Sequence, residues 1–126
     1  MRALILLAHG SRSLLMEQEV VDLARALNDE AAKRRVTHAF LDVLRPTLPE
    51  AVDRAAAGGA KQIDILPLFL HAGDHVQQDI PRMMDDARRR HPAVNIRLLR
   101  HLGAHPEIRL LVYDMAKDPD RYLADG

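Results

Sequence analysis

The sequence predicts a four-stranded parallel α/β sheet, strand order 2-1-3-4, with helices on both faces. Three observations predict it. Short apolar runs without polar alternation suit strands buried on both sides. Longer stretches between them repeat their apolar residues near a 3.6 period. The two kinds of segment alternate strictly, β-α-β-α-β-α-β-α, which implies right-handed crossovers and the flavodoxin-like order.

The first strand is Ala3 to Ala8, closed by His9-Gly10-Ser11. Ser13 to Arg35 follows as a long amphipathic helix through Leu14, Leu15, Val20, Val21, Leu23, Ala24 and Leu27, capped by Ser11 or Ser13. Val36 to Val43 is the second strand, and Pro46 and Pro49 break the chain after it. Thr47 caps a helix to Ala57, which Gly58-Gly59 ends. Gln62 to Leu66 is the third strand. A loop from Pro67 through His71 and Gly73 to His75 leads into a helix from about Val76 to Arg90. His91-Pro92 stops that helix, since a residue before proline avoids helical geometry. Val94 to Leu99 is the fourth strand, Gly103 to His105 a turn, and Pro106 opens a last helix to about Lys117. Residues 1–117 thus form one domain, and 118–126 a polar tail expected to fray.

Composition narrows the function. Eighteen basic residues balance eighteen acidic ones, so the basic excess of a nucleic-acid or membrane-surface binder is missing. No cysteine is present, which removes disulfides, thiolate metal sites and cysteine nucleophiles and fits a reducing, cytoplasmic setting. The N-terminal apolar run is short for a signal peptide, and no run approaches a membrane span. Only four aromatics occur, so the core is expected to be aliphatic. No glycine-rich phosphate loop follows the first strand, and there is no nucleophile elbow. Phosphoryl or methyl transfer is correspondingly disfavoured.

Seven histidines are many for 126 residues. In an open parallel sheet, ligands bind beyond the carboxyl ends of the strands, where strand order reverses. His9 follows the first strand, Asp42 ends the second, and His71 and His75 lie after the third. Those strands are neighbours roughly 4.8 Å apart, so imidazoles and a carboxylate distant in sequence converge on one rim. Such a set suits divalent first-row metals. Other roles stay open: His9 could cap the next helix, Asp42 a turn, and His71 could line a wall. Gly73 is expected to let the backbone turn and present His75. His101 and His105 sit one strand further out. His38 and His91 are read as surface residues, and Arg88-Arg89-Arg90 as a favourable helix C-terminus.

Four segments resemble the short CbiX-type sirohydrochlorin chelatases, in order and over nearly the whole chain. They are Leu6 to Arg12; Ala39 to Asp42 with Pro46 to Ala51; Pro67 to Val76 with Asp79-Ile80-Pro81; and Leu102 to Pro106. The resemblance implies insertion of Co²⁺, or in relatives Fe²⁺ or Ni²⁺, into sirohydrochlorin. The ion is then a substrate, with no resident cofactor. His9 and His75 become the metal-handling pair, assisted by an acidic residue where family members usually carry glutamate and this chain has Asp42. Pairing as a homodimer is implied as well. On the carboxylate-rich substrate, Arg12, Arg45 and Arg82 are candidate partners, with Ser11, His71 and Gly73 on the same rim. A carrier that binds metal or tetrapyrrole at the same site without turnover is the alternative, and an inactive regulatory domain a further one.

Overall fold

The computed structural model describes residues 1–30 and 34–124. The side chains of Asp29, Glu30 and His75 lie outside the described part. In chain order the elements are β1 (Arg2–Ala8), α1 (Leu14–Glu30), β2 (Arg35–Phe40), α2 (Leu48–Ala57), β3 (Gln62–Pro67), α3 (Asp74–Arg90), β4 (Asn95–Leu98) and α4 (Ile108–Lys117). Two 3-10 turns, Leu102–Ala104 and Pro119–Tyr122, flank α4. The strands form one sheet in the order β2-β1-β3-β4, with every pair parallel.

Alternation along β1 divides the core between the two faces. Ala3, Ile5 and Leu7 pack with Leu48, Val52, Ile63, Ile65, Ile80 and Met84 on the side of α2 and α3. Leu4 and Leu6 pack with Ala24 and Val36 on the side of α1. The core is aliphatic apart from Phe40 and Phe69, and each fully buried Ile or Leu contributes about 1.5–3 kcal/mol. Two local signals, the Ser13 and Thr47 caps, act where they were expected, and Asn28 adds a contact that the sequence did not suggest. Ser13 Oγ accepts from Met16 N–H at the start of α1 (3.3 Å). Thr47 and Glu50 form a reciprocal capping box on α2. Asn28 clips α1 to the free edge of β2, donating to Val36 C=O (2.6 Å) and accepting from Val36 N–H (2.8 Å).

Several boundaries differ from the sequence reading. Arg35 does not close α1; it opens β2 opposite Ala3, and residues 31–33 lie outside the described part. β2 stops at Phe40, not Val43, because Pro46 C=O takes the Phe40 N–H (2.9 Å) and Val43 adopts a positive φ of 71°. Asp42 therefore stands two residues past the strand. The tail does not simply fray: Pro119–Tyr122 makes a 3-10 turn and the Tyr122 hydroxyl donates to Asp114.

Two histidines read as surface residues are half-buried. His91 Nε2 lies 2.7 Å from Asp53 Oδ1, and Arg90 reaches the same carboxylate, so the basic end of α3 ties α3 to α2. Those contacts, His91 first, hold the Asp53 carboxyl below its ordinary range. His38 lies edge-on to Phe40 (5.5 Å between ring centres), and burial pushes its pKa below the ordinary 6.5. The sign of the linkage follows: near that pH the unfolded chain binds a proton that the folded chain refuses. Stability should therefore fall as pH drops through about 6.5 and level off below the folded pKa. Calorimetry of His38→Leu should show that this step, but not the later carboxylate-linked loss below about pH 4, has disappeared.

Candidate active site

The rim is assembled by backbone hydrogen bonds that continue past the ends of the strands. Leu41 N–H donates to Ala8 C=O and Asp42 N–H to His9 C=O, both at 2.9 Å. This pulls the segment after β2 against the turn after β1. Gly10 makes the approach possible, because a Cβ there would stand 1.8 Å from the Asp42 carbonyl oxygen. Its φ of +95° also belongs to glycine. The Asp42 carboxylate accepts from Val43 N–H (2.8 Å), stabilising the turn that carries it.

His9 is exposed, but its ring lies against Phe69, 4.3 Å between centres and tilted by 38°. Phe69 is buried after β3, so a rigid apolar platform limits the orientations of the imidazole. The loop beyond Phe69 is held from above: Gly103 N–H donates to Phe69 C=O (2.9 Å), and a Cβ on Gly103 would stand 1.7 Å from the Leu70 oxygen.

His75 is not in a loop. It is the second residue of α3, whose N-cap is Gly73. Gly73 has φ −81° and ψ 154°, ordinary extended values, with open space where a Cβ would be. Its presence is thus not what turns the chain towards His75, contrary to the sequence expectation. α3 carries His75 in its first turn, and its later residues Val76, Asp79, Arg82 and Met83 line the cavity described next.

That cavity measures about 360 Å³ and is lined by His9, Leu41, Asp42, Val76, Asp79, Arg82 and Met83. Three elements meet there: the turn after β1, the turn after β2, and α3. Of the sequence candidates, His9, Asp42 and Arg82 line it, and the backbone of His75 precedes Val76 on its wall. Ser11, Arg12, Arg45, His71 and Gly73 are not in the lining. Ser11 Oγ accepts from Ser13 N–H (2.9 Å). Arg45 Nε stands 3.2 Å from Glu50 Oε1 at the start of α2. Arg12 and His71 are exposed. His105 Nδ1 accepts from Glu107 N–H (3.0 Å), away from the cavity.

The sequence reading missed Phe69 and Met83 and gave no role to Asp79. The signal was spacing. With α3 begun at Asp74, residues 75, 79, 82 and 83 recur at helical intervals and share a stripe. Among the described residues no three histidine, aspartate or glutamate side chains form a closed metal cluster. A larger groove of about 460 Å³ follows the free edge of β2 between α1 and α2. It has Thr37, with an unpartnered hydroxyl, and His38 among mostly aliphatic walls. The smaller cavity has the more reactive set: an exposed imidazole, two carboxylates and a guanidinium around an open mouth. Such a set can hold a cation loosely and receive protons. Among the described residues no helix is long and apolar enough to cross a membrane.

Comparison with known proteins identifies the family of the chain and relatives of its fold. The CbiX family model matches residues 3–118. A sirohydrochlorin cobaltochelatase of Methanocaldococcus jannaschii is 37% identical over 84 residues, 67% of this chain. The match spans 59% of that relative's length. Among solved structures, the CbiX protein of Marinobacter aquaeolei VT8 superposes with a TM-score of 0.81 at 31% identity, covering 98% of this chain and 100% of that one. The sirohydrochlorin chelatase SirB of Bacillus subtilis subspecies spizizenii, in complex with cobalt, gives 0.80 at 26% identity, covering 93% of this chain and 50% of that one.

Proposed function

The chain belongs to the CbiX family, and from that premise we propose that it inserts a divalent metal, foremost Co²⁺, into sirohydrochlorin. One observation carries the reading: His9, set on Phe69 and joined through its carbonyl to Asp42, opens into a cavity whose far wall is the helix of His75. The cobalt complex of a relative with the same fold supports the choice of metal.

A free-base macrocycle loses two pyrrolic protons as the ion enters, so the protein must present the metal and accept protons. Neutral imidazole does both near neutral pH. His9 and His75 present the ion to one face of the ring, and an open ligand set lets it leave. Asp42 and Asp79 favour the cation and receive protons. Arg82, at the cavity edge, pairs with a substrate carboxylate. The ion is substrate rather than resident cofactor, and the absence of cysteine suits work in a reducing cytoplasm. Two copies of the chain form the working unit.

Anaerobic mixing of the protein with excess sirohydrochlorin and Co²⁺, followed by absorbance, tests the reading. Many turnovers per chain are expected. A single stoichiometric burst would replace the enzyme with a carrier. Running Fe²⁺ and Ni²⁺ alongside ranks the metals, which affinity alone does not, since these ligands bind nickel, copper and zinc well.

A further inference from the structure

The groove of about 460 Å³ along the outer edge of β2 has no task in metal insertion. It lies towards the amino ends of the strands, at Ala3, Arg35 and Ala60, whereas His9 and Asp42 stand beyond the carboxyl ends. Val21 and Ala24 of α1 wall one side, and Ala51 and Ala55 of α2 the other. A concave, mostly aliphatic space of this size with a few polar groups suits a small molecule.

The polar groups define its charge. Arg25, Arg35 and Arg54 border the groove, and no aspartate or glutamate lines it. Arg25 has an exposed partner, Asp22, 3.9 Å away. Among the described residues, Arg35 and Arg54 have no ion pair. Arg54 stands close enough to His38 to oppose the charging of its imidazole.

The backbone supplies a further donor. Asn28 engages the outward N–H and C=O of Val36, and Pro46 C=O takes the N–H of Phe40. Alternate residues of a parallel strand turn their peptide groups to the same side. His38, midway between those two, therefore presents its N–H and C=O to the open edge, and no described residue bonds that N–H. The neighbouring Thr37 hydroxyl is shielded and unpartnered as well, a state that calls for a reason. A peptide strand does not fit this edge, because Asn28 on one side and the Phe40–Thr47 bridge on the other leave a single residue open. A compact anion with an apolar body meets every one of these features.

We propose that the groove binds a small monocarboxylate with a hydrocarbon body. The carboxylate accepts from the His38 N–H and pairs with Arg54, and the hydrocarbon lies between α1 and α2. The site is independent of the chelatase reading.

Isothermal titration of the full chain with sodium octanoate, kept below its micellar range, tests it. Octanoate should saturate one site per chain. Acetate lacks the hydrocarbon and octylammonium reverses the charge, so each should bind at least about tenfold more weakly. Arg54→Gln, an exposed position, should weaken octanoate by about tenfold with unchanged far-UV dichroism. In the parent, saturation should move the His38 amide proton resonance downfield, a readout that needs no variant. Octanoate that never saturates, or octylammonium or acetate that matches it, would overturn the proposal. Full-strength binding by folded Arg54→Gln, or a His38 amide that stays in place, would do the same.

Discussion

His9→Ala should lower the initial rate of cobalt insertion by roughly a hundredfold or more, the scale of a lost positioned acid–base group. The physical reason is that His9 combines three properties found together nowhere else among the described residues: exposure, a place in the cavity lining and a fixed aromatic neighbour. Because the side chain is exposed, the stability should change by no more than about 0.5 kcal/mol. A rate loss without a stability loss therefore separates chemistry from folding. Phe69→Leu refines the test. It keeps an apolar side chain in the core at a cost of about 1–1.5 kcal/mol, but removes the surface on which the imidazole rests. Its rate should fall less than that of His9→Ala. His9→Ala turning over at the parent rate would sink the assignment.

Gly10→Ala should destabilise the protein by about 3 kcal/mol, which for a chain of this length lowers the midpoint by roughly 10 °C. Two effects add. A side chain at φ +95° is strained, and the new methyl would overlap the Asp42 carbonyl oxygen, 1.8 Å away. The oxygen belongs to backbone, so relief requires the turn after β2 to move. That movement would break the Asp42-to-His9 hydrogen bond and widen the cavity, and the insertion rate should drop as well. Differential scanning calorimetry and the insertion assay together check this. A variant melting within about 1 °C of the parent would show that the two turns are not coupled as described.

The fold was legible because every crossover is local. Ala3 to Ala8 is a strand by its unbroken apolar run, the Thr47 to Glu50 capping box starts α2 wherever it occurs, and alternation with helices leaves few topologies. Boundaries were less legible where tertiary contacts set them. Arg35 reads as helix by charge pattern but belongs to β2 because β1 pairs with it. His91 and His38 look like surface residues by polarity, and each is drawn inward by a neighbour, Asp53 for one and Phe40 for the other.

The candidate site divides in the same way. Strand order alone placed His9, Asp42, His71 and His75 on one rim, and the resemblance made His9 and His75 the metal-handling pair. Nothing in one dimension says that Phe69 lies under the imidazole, or that Asp79 and Met83 share its cavity. Local chemistry along the chain determined the elements, their order, and the edge of the sheet where reactive groups gather. The three-dimensional packing decided which of those groups face one space and which are spent on turns and caps. Alternation and capping act between residues close in sequence. The cavity is made by three segments whose meeting depends on crossovers, on close backbone approach at Gly10, and on a helix begun two residues earlier than its pattern suggested.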